Sequence, residues 1–237
     1  MSRHALVRAG AAPVVLLSLL LAGCSIPRTL RIDDDSATTY AARGVVRLGS
    51  RQVSGIEVGY SQFRAEDTQT LPAGARVTLD SVSVVGPVEL RNRARMQVAH
   101  VAYNHLFFAT RPVQMELLGG AAVLRLAWRA QPLSGMQFPI DKQVDRGGFF
   151  VGVGPRWKFA DRFALEGRLA TVSTLRCRDD CGHLTTADVA LAFYPFAQMR
   201  LRAGYFESEG RFEHGNDFES AIALRARGPR LDFVLEF

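Results

Sequence analysis

The residues of this chain that could do chemistry are few and scattered. Cys177 and Cys181 stand in CRDDC, with His183 close behind. Two thiols at that spacing can close a small disulfide loop or, with the imidazole, begin a metal site. Three ligands without a second cluster fall short of the four that a closed zinc site takes, so a disulfide is the expected pairing and no metal is expected. His100 and His105 lie in RNRARMQVAHVAYNHLFF, while His183 and His214 lie in charged connecting segments, His214 beside Glu213 and Asp217. A histidine serves as general base only with a nucleophile in reach and a third group to orient it, and no nearby serine completes a His-x-Ser-Asn arrangement. No catalytic residue, no cofactor and no enzymatic activity are therefore expected.

The third cysteine has a different setting. Met1 to Gly23 carries Arg3, His4 and Arg8, then an apolar run through Val14 to Leu21, then the small residues Ala22 and Gly23. That run is shorter than the ~20 residues a bilayer-spanning helix needs, so residues 1–23 are expected to be a removable signal peptide. LLLAGCS at its end resembles the bacterial lipobox. The resemblance implies that Cys24 is diacylated and becomes the mature N-terminus, handled by the lipoprotein processing and sorting machinery, with Ser25 typical of the outer-membrane route. An exported chain with three cysteines leaves one odd thiol, and acylation of Cys24 leaves Cys177 and Cys181 as an even pair in an oxidising compartment.

Loss of the signal removes two arginines and no acid, lowering the charge from +6 to +4. So small a surplus without a basic cluster is no nucleic-acid footprint, and no nucleic-acid partner is expected. With 48% hydrophobic residues the chain has enough apolar side chain for a folded domain. Residues 24–51 are polar and lack a clear period, so they are expected to form a lipidated periplasmic tether, with Asp33 to Asp35 a solvated charge run.

From about residue 52 the dominant signal is period two, the mark of strands with unlike faces. In QMRLRAGYF, Met199, Leu201, Ala203 and Tyr205 alternate with Arg200, Arg202 and Gly204. Similar alternation runs through GGFFVGVGPRWKF and RFALEGRLATVS, and no helical period of comparable length follows the signal. Eight strands are expected, near 52–66, 94–109, 112–129, 147–159, 162–175, 184–195, 198–208 and 217–237. Even connections are very short and odd ones long. Residues 75–86 are expected to form a hairpin arm in the first long loop, ten strands being the alternative. The last strand changes its apolar parity from Ile222 and Leu224 to Leu231, Phe233, Leu235 and Phe237, which a β-bulge at Gly228-Pro229 explains.

Alternation does not say which face is inside. A soluble lipocalin-like carrier puts the apolar face inward around a ligand, and a transmembrane barrel puts it outward in lipid. The alternating short and long connections favour the membrane, as do aromatics near strand ends, among them Phe107-Phe108, Trp128, Trp157 to Phe159 and Tyr194 to Phe196. The expected fold is an all-β, transmembrane, antiparallel up-and-down barrel over residues 52–237. Its inward parity then collects Glu57, Arg125, Arg156, Lys158, Glu166, Arg168, Asp188, Arg200, Arg202, Arg225, Asp232 and Glu236. An eight-stranded barrel is only wide enough for side chains, so these charges are expected to pair and fill the lumen.

The short turns, GVGPRW, GYFESEG, RGPRLDFVLEF and the terminal aromatic resemble small outer-membrane barrels of the OmpA transmembrane-domain, OmpX and OmpW kind. For that group the last strand is the signal read by the barrel assembly machinery, which implies that role for Phe237, with Phe233 and Leu235 as its apolar partners. Pro155 inside a strand departs from the pattern by removing a ladder donor. The resemblance implies an outer-membrane location among lipid, with the N-terminus periplasmic and the long loops outside. The expected role is envelope structure or surface contact. A lipid A-modifying enzyme and a narrow channel for small apolar molecules stand beside the lipocalin-like carrier as alternatives.

Overall fold

A computed structural model describes residues 29–49, 52–79, 82–134, 138–174, 180–214 and 220–237. Twelve strands are present among them: β1 Thr29–Asp34, β2 Thr38–Leu48, β3 Ser54–Leu71, β4 Arg76–Leu79, β5 Val82–Val85, β6 Val88–Phe107, β7 Val113–Pro132, β8 Ile140–Ala160, β9 Phe163–Thr174, β10 Asp180–Phe196, β11 Met199–His214 and β12 Ser220–Glu236. The wall runs β2-β3-β6-β7-β8-β9-β10-β11-β12, every neighbour antiparallel, and closes by a parallel pairing of β12 with β2. This makes a closed all-β barrel of nine strands rather than the eight expected. An odd count forces one parallel seam.

The added strand comes from residues expected to be tether. β1 pairs with the first half of β12, Thr29↔Ala221 through Asp34↔Ala226, and β2 with the second half, Arg230↔Thr39 through Glu236↔Val45. Together they fill one strand position, broken at the turn between them. Asp34, expected in water, is buried there, accepting hydrogen bonds from the Ser36 amide (2.7 Å) and the Glu66 amide (2.8 Å). Gly228 is needed opposite the break, because a Cβ at this position (φ +159°) would lie 1.9 Å from the Ala37 carbonyl oxygen. β1 meets β3 through side chains: the Arg31 amide donates to Gln69 Oε1 and the Asp33 amide to Asp67 Oδ2, both at 3.2 Å.

β1 enters at the rim carrying the long connections, and β12 ends at the rim of short turns, where the Phe237 amide donates to the Val45 carbonyl. The described chain thus begins and ends at opposite rims, not on one side as expected. The hairpin arm at 75–86 is present as β4 and β5, which pack the buried Val77 and Val84 onto the core at the long-loop rim. Pro155 pairs with Met115 on β7, and towards β9 the ladder skips from Val153↔Leu169 to Arg156↔Glu166 without a change of register. The missing donor is absorbed locally, against Gly167.

Most wall strands run 16 to 21 residues, about twice the 9–11 that cross a bilayer. Their two halves have opposite polarity. In the upper half, towards the long loops, the lumen is apolar: Leu90, Met96, Leu124, Leu126, Trp128, Phe206, Leu224 and β1's Leu30 and Ile32 form one core. The outer face there carries Arg91, Arg93, Arg95, Glu207, Arg225 and Arg227. In the lower half the lumen is charged, and the outer face shows Val58, Val101, Leu117, Val151, Leu191 and Leu231.

The parity change in β12 is this reversal and not a bulge. Even-numbered residues face inward from Ile222 to Glu236, and the β11–β12 register is unbroken from Met199↔Leu235 to His214↔Ser220. Trp128 and Tyr194, placed with the surface aromatics on sequence, point inward, whereas Phe107, Phe108, Trp157, Phe159, Phe196 and Phe237 do ring the lower rim. Tyr40, Tyr60 and Tyr205 mark the upper limit of the apolar belt. On β8 the belt extends from Phe149 to Phe159, which at ~3.3 Å per residue and a tilt near 40° is about 25 Å of height.

Candidate functional site

The lower lumen is the densest collection of polar side chains among the described residues, and alternation on successive strands aims them at one axis. Arg202 on β11 is its hub: Nε lies 2.8 Å from Glu166 on β9, Nη2 lies 2.6 Å from Asp188 on β10, and Nη1 contacts Asp232 on β12. Arg43 (3.2 Å) and Arg230 (2.6 Å) also bind Asp232, and Arg230 reaches Asp188 at 3.3 Å. Glu166 further holds Arg156 (2.9 Å) and Arg200 (2.8 Å) and accepts the Tyr194 hydroxyl (2.9 Å).

The chain of contacts continues round the wall. Arg200 meets Glu236 at 3.0 Å, and Glu236 and Glu116 each lie 3.7 Å from Arg47. Arg47 donates to Asn104 Oδ1 (2.9 Å), and Asn104 Nδ2 donates to Glu116 (2.6 Å). Glu57 takes Arg168 Nη2 at 2.5 Å and faces His100 Nε2 at 2.9 Å. His100 stacks on Phe150, with ring centroids 4.2 Å apart. Gly59 makes room for that ring, since a Cβ at this position would fall 2.2 Å from His100 Cε1.

Of the twelve residues expected in the lumen, nine join this network: Glu57, Arg156, Glu166, Arg168, Asp188, Arg200, Arg202, Asp232 and Glu236. Lys158 sits at the exposed lower rim, over the Tyr194 ring at 5.6 Å. Arg125 and Arg225 are corrections: both face outward in the upper half, paired with Asp145 (2.7 Å) and Glu207 (2.6 Å). The rule that charged residues face the lumen was carried there past the level at which polarity reverses, although facing parity stays the same. Arg43, Arg47, Asn104, Glu116 and Arg230 were missed. A signal for the first two existed, since Tyr40, Ala42, Val46 and Leu48 alternate with Arg43 and Arg47. Cys24 and the side chains of Cys177, Cys181 and His214 lie outside the described residues.

Each buried charge would be costly alone, and mutual pairing makes the set tolerable. This arrangement fills space and resists motion. The void between the charged and apolar halves, lined by Arg43, His100, Phe150, Arg168, Asp188 and Arg230, is only about 50 Å3. Small-molecule sites take roughly 300–1,000 Å3. At the lower rim Ser54 Oγ lies 3.0 Å from His105 Nδ1 and accepts the Tyr103 hydroxyl at 2.8 Å. Among the described residues no carboxylate stands against His105 in the place that the orienting group of a hydrolytic relay takes.

In the upper half the exposed pairs shift titration in ordinary directions. Hydrogen bonds from Arg91, then Arg93, hold the Glu66 carboxyl below its usual range, and Arg125 does the same to Asp145. Among the described residues no group of three or more potential metal ligands occurs. No protein family, curated protein or solved structure matches this chain.

Proposed function

We propose that this chain is an integral outer-membrane β-barrel whose lower half crosses the bilayer and whose upper half stands clear of it on the long-loop side, serving envelope structure or surface contact. One observation carries the reading: the lower half combines an apolar outer belt with an ionic lumen, an arrangement that is unfavourable in water and stable in hydrocarbon. The belt's height and the aromatic rings at both its limits support the same placement. A side-chain-filled lumen and the hairpin over the upper rim argue against a conducting channel, and the packed apolar core of the upper half argues against a carrier.

In this reading the short turns face the periplasm, and Phe237, Leu235 and Phe233 present the final strand to the barrel assembly machinery. Residues 1–23 are removed on export, Cys24 carries lipid and Cys177 pairs with Cys181. Cys24 precedes Thr29 by five residues, a reach of at most about 18 Å, so its lipid belongs to the long-loop side. Nine strands and opposed chain ends set the protein apart from the eight-stranded barrels it resembles. The test is behaviour in detergent and bilayers. The purified protein is expected to need detergent, to change gel mobility on boiling, and to give no steady conductance in planar bilayers. A protein that stays dispersed without detergent overturns the membrane placement, and a defined ion current overturns the filled lumen.

A further inference from the structure

The outer wall of the upper half contains an arrangement that folding does not explain. Arg64 and Arg95 stand directly opposite each other across β3 and β6, and Arg93 and Arg129 do so across β6 and β7. Like charges in direct cross-strand register destabilise a sheet. Compensation is partial: Arg93 shares Glu66 with Arg91, Arg129 reaches Asp141 at 3.4 Å, and Arg95 donates to neutral Gln62 at 2.7 Å. Arg64 has no ionic partner among the described residues. On β12, two positions round the wall from β3, Arg225 is by contrast matched by Glu207 and Arg227 by Asp35.

The same arginines line a groove of about 750 Å3, with Ala65, Ala94 and Ala127 beneath them. Below it on β3, β6 and β7 lie the apolar belt residues Val58, Tyr60, Val101 and Val123. The groove therefore meets the belt at the level where, on the membrane placement proposed above, lipid headgroups lie.

We propose that this groove binds the phosphorylated headgroup of an anionic lipid in the outer leaflet, with the acyl chains running down the belt over β3, β6 and β7. A phosphate between Arg64 and Arg95 replaces their repulsion with two charge-assisted contacts, and guanidinium forks suit phosphate oxygens. Glu66 and Asp141 hold Arg93 and Arg129 at the groove edges. A lipid is favoured over free phosphate because the groove is open and continuous with an apolar surface that acyl chains can cover.

The test uses the full chain in zwitterionic detergent, with diphosphoryl lipid A, its dephosphorylated form and inorganic phosphate as probes, read by native mass spectrometry and thermal unfolding. Diphosphoryl lipid A is expected to stay bound and raise Tm, while the dephosphorylated form and inorganic phosphate do neither. The double variant Arg64→Gln/Arg95→Gln should weaken lipid binding at least tenfold, and Arg225→Gln on β12, paired with Glu207 outside the groove, should leave it unchanged. Without lipid, Arg64→Gln should hold or raise Tm, because it relieves a repulsion; a purely structural arginine would lower it. Equal binding of the dephosphorylated form overturns the proposal. So does an equal effect of inorganic phosphate, or undiminished binding by the folded double variant. Failure here in a barrel that still requires detergent removes the groove proposal alone, whereas a barrel that needs no detergent removes the membrane placement as well.

Discussion

The two halves of the barrel share strands, register and facing parity, yet each is the other turned inside out. In the upper half Leu124, Leu126 and Trp128 fill the lumen while Arg125 and Arg129 face out; in the lower half of the same strand, Glu116 faces in and Leu117 faces out. A closed wall can thus be soluble-like at one end and membrane-like at the other, because strand geometry constrains only alternation and the surroundings decide which face is apolar. The interiors also differ in kind. The upper one is non-directional packing, whereas the lower one is a network in which each group depends on its neighbours' charge.

That difference predicts unequal responses to mutation. The largest effect is expected from Arg202→Ala, which leaves Glu166, Asp188 and Asp232 short of a shared cation in a buried site. It should cost about 3–5 kcal/mol, read as unfolding in detergent with urea or heat. A loss below about 1 kcal/mol would mean that the network does not rest on this hub.

A matched pair on the outer face sharpens the contrast. On the proposed membrane placement, Leu117→Arg, mid-belt, should destabilise the barrel by about 2–4 kcal/mol. Thr70→Arg, equally outward-facing but in the upper half opposite Glu89, should change stability by no more than about 0.5 kcal/mol. Equal effects of the two would erase the distinction between the halves.

The smallest effect concerns pH. Glu66 and Asp145 have carboxyl pKa values below the ordinary 4.5 and 3.8 in the folded protein. Their contribution is therefore present above those ordinary values and is lost as pH falls through the lower folded-state values. Both are solvent-exposed, with side-chain accessibilities of 43% and 42%, so the loss should be at most about 0.5 kcal/mol, and Glu66→Gln should remove its share of the pH dependence in an acid titration of Tm.

Much of the wall was legible. The short turns after β6, β8 and β10 and the β4–β5 hairpin follow from local chemistry: tight connections, and valines at alternate positions between Gly and Pro. β1 was not legible, because six residues with three charges carry too little period, and its partner β12 lies almost 200 positions away. Arg125 and Arg225 misled for a related reason. They keep the alternation of their strands, and nothing nearby marks the level at which polarity reverses.

The sequence by itself determined that most of this chain is strand, since a two-residue repeat matches the pleat and no helix can segregate such a pattern. It also determined which residues share a face, because that parity is intrinsic to an extended backbone. Only the tertiary structure decided which face is the lumen at each height, that β1 and β2 close the wall against β12, and which of the charged residues meet. Those outcomes depend on pairing between distant segments and on curvature, and exchanging inside for outside leaves the local repeat unchanged.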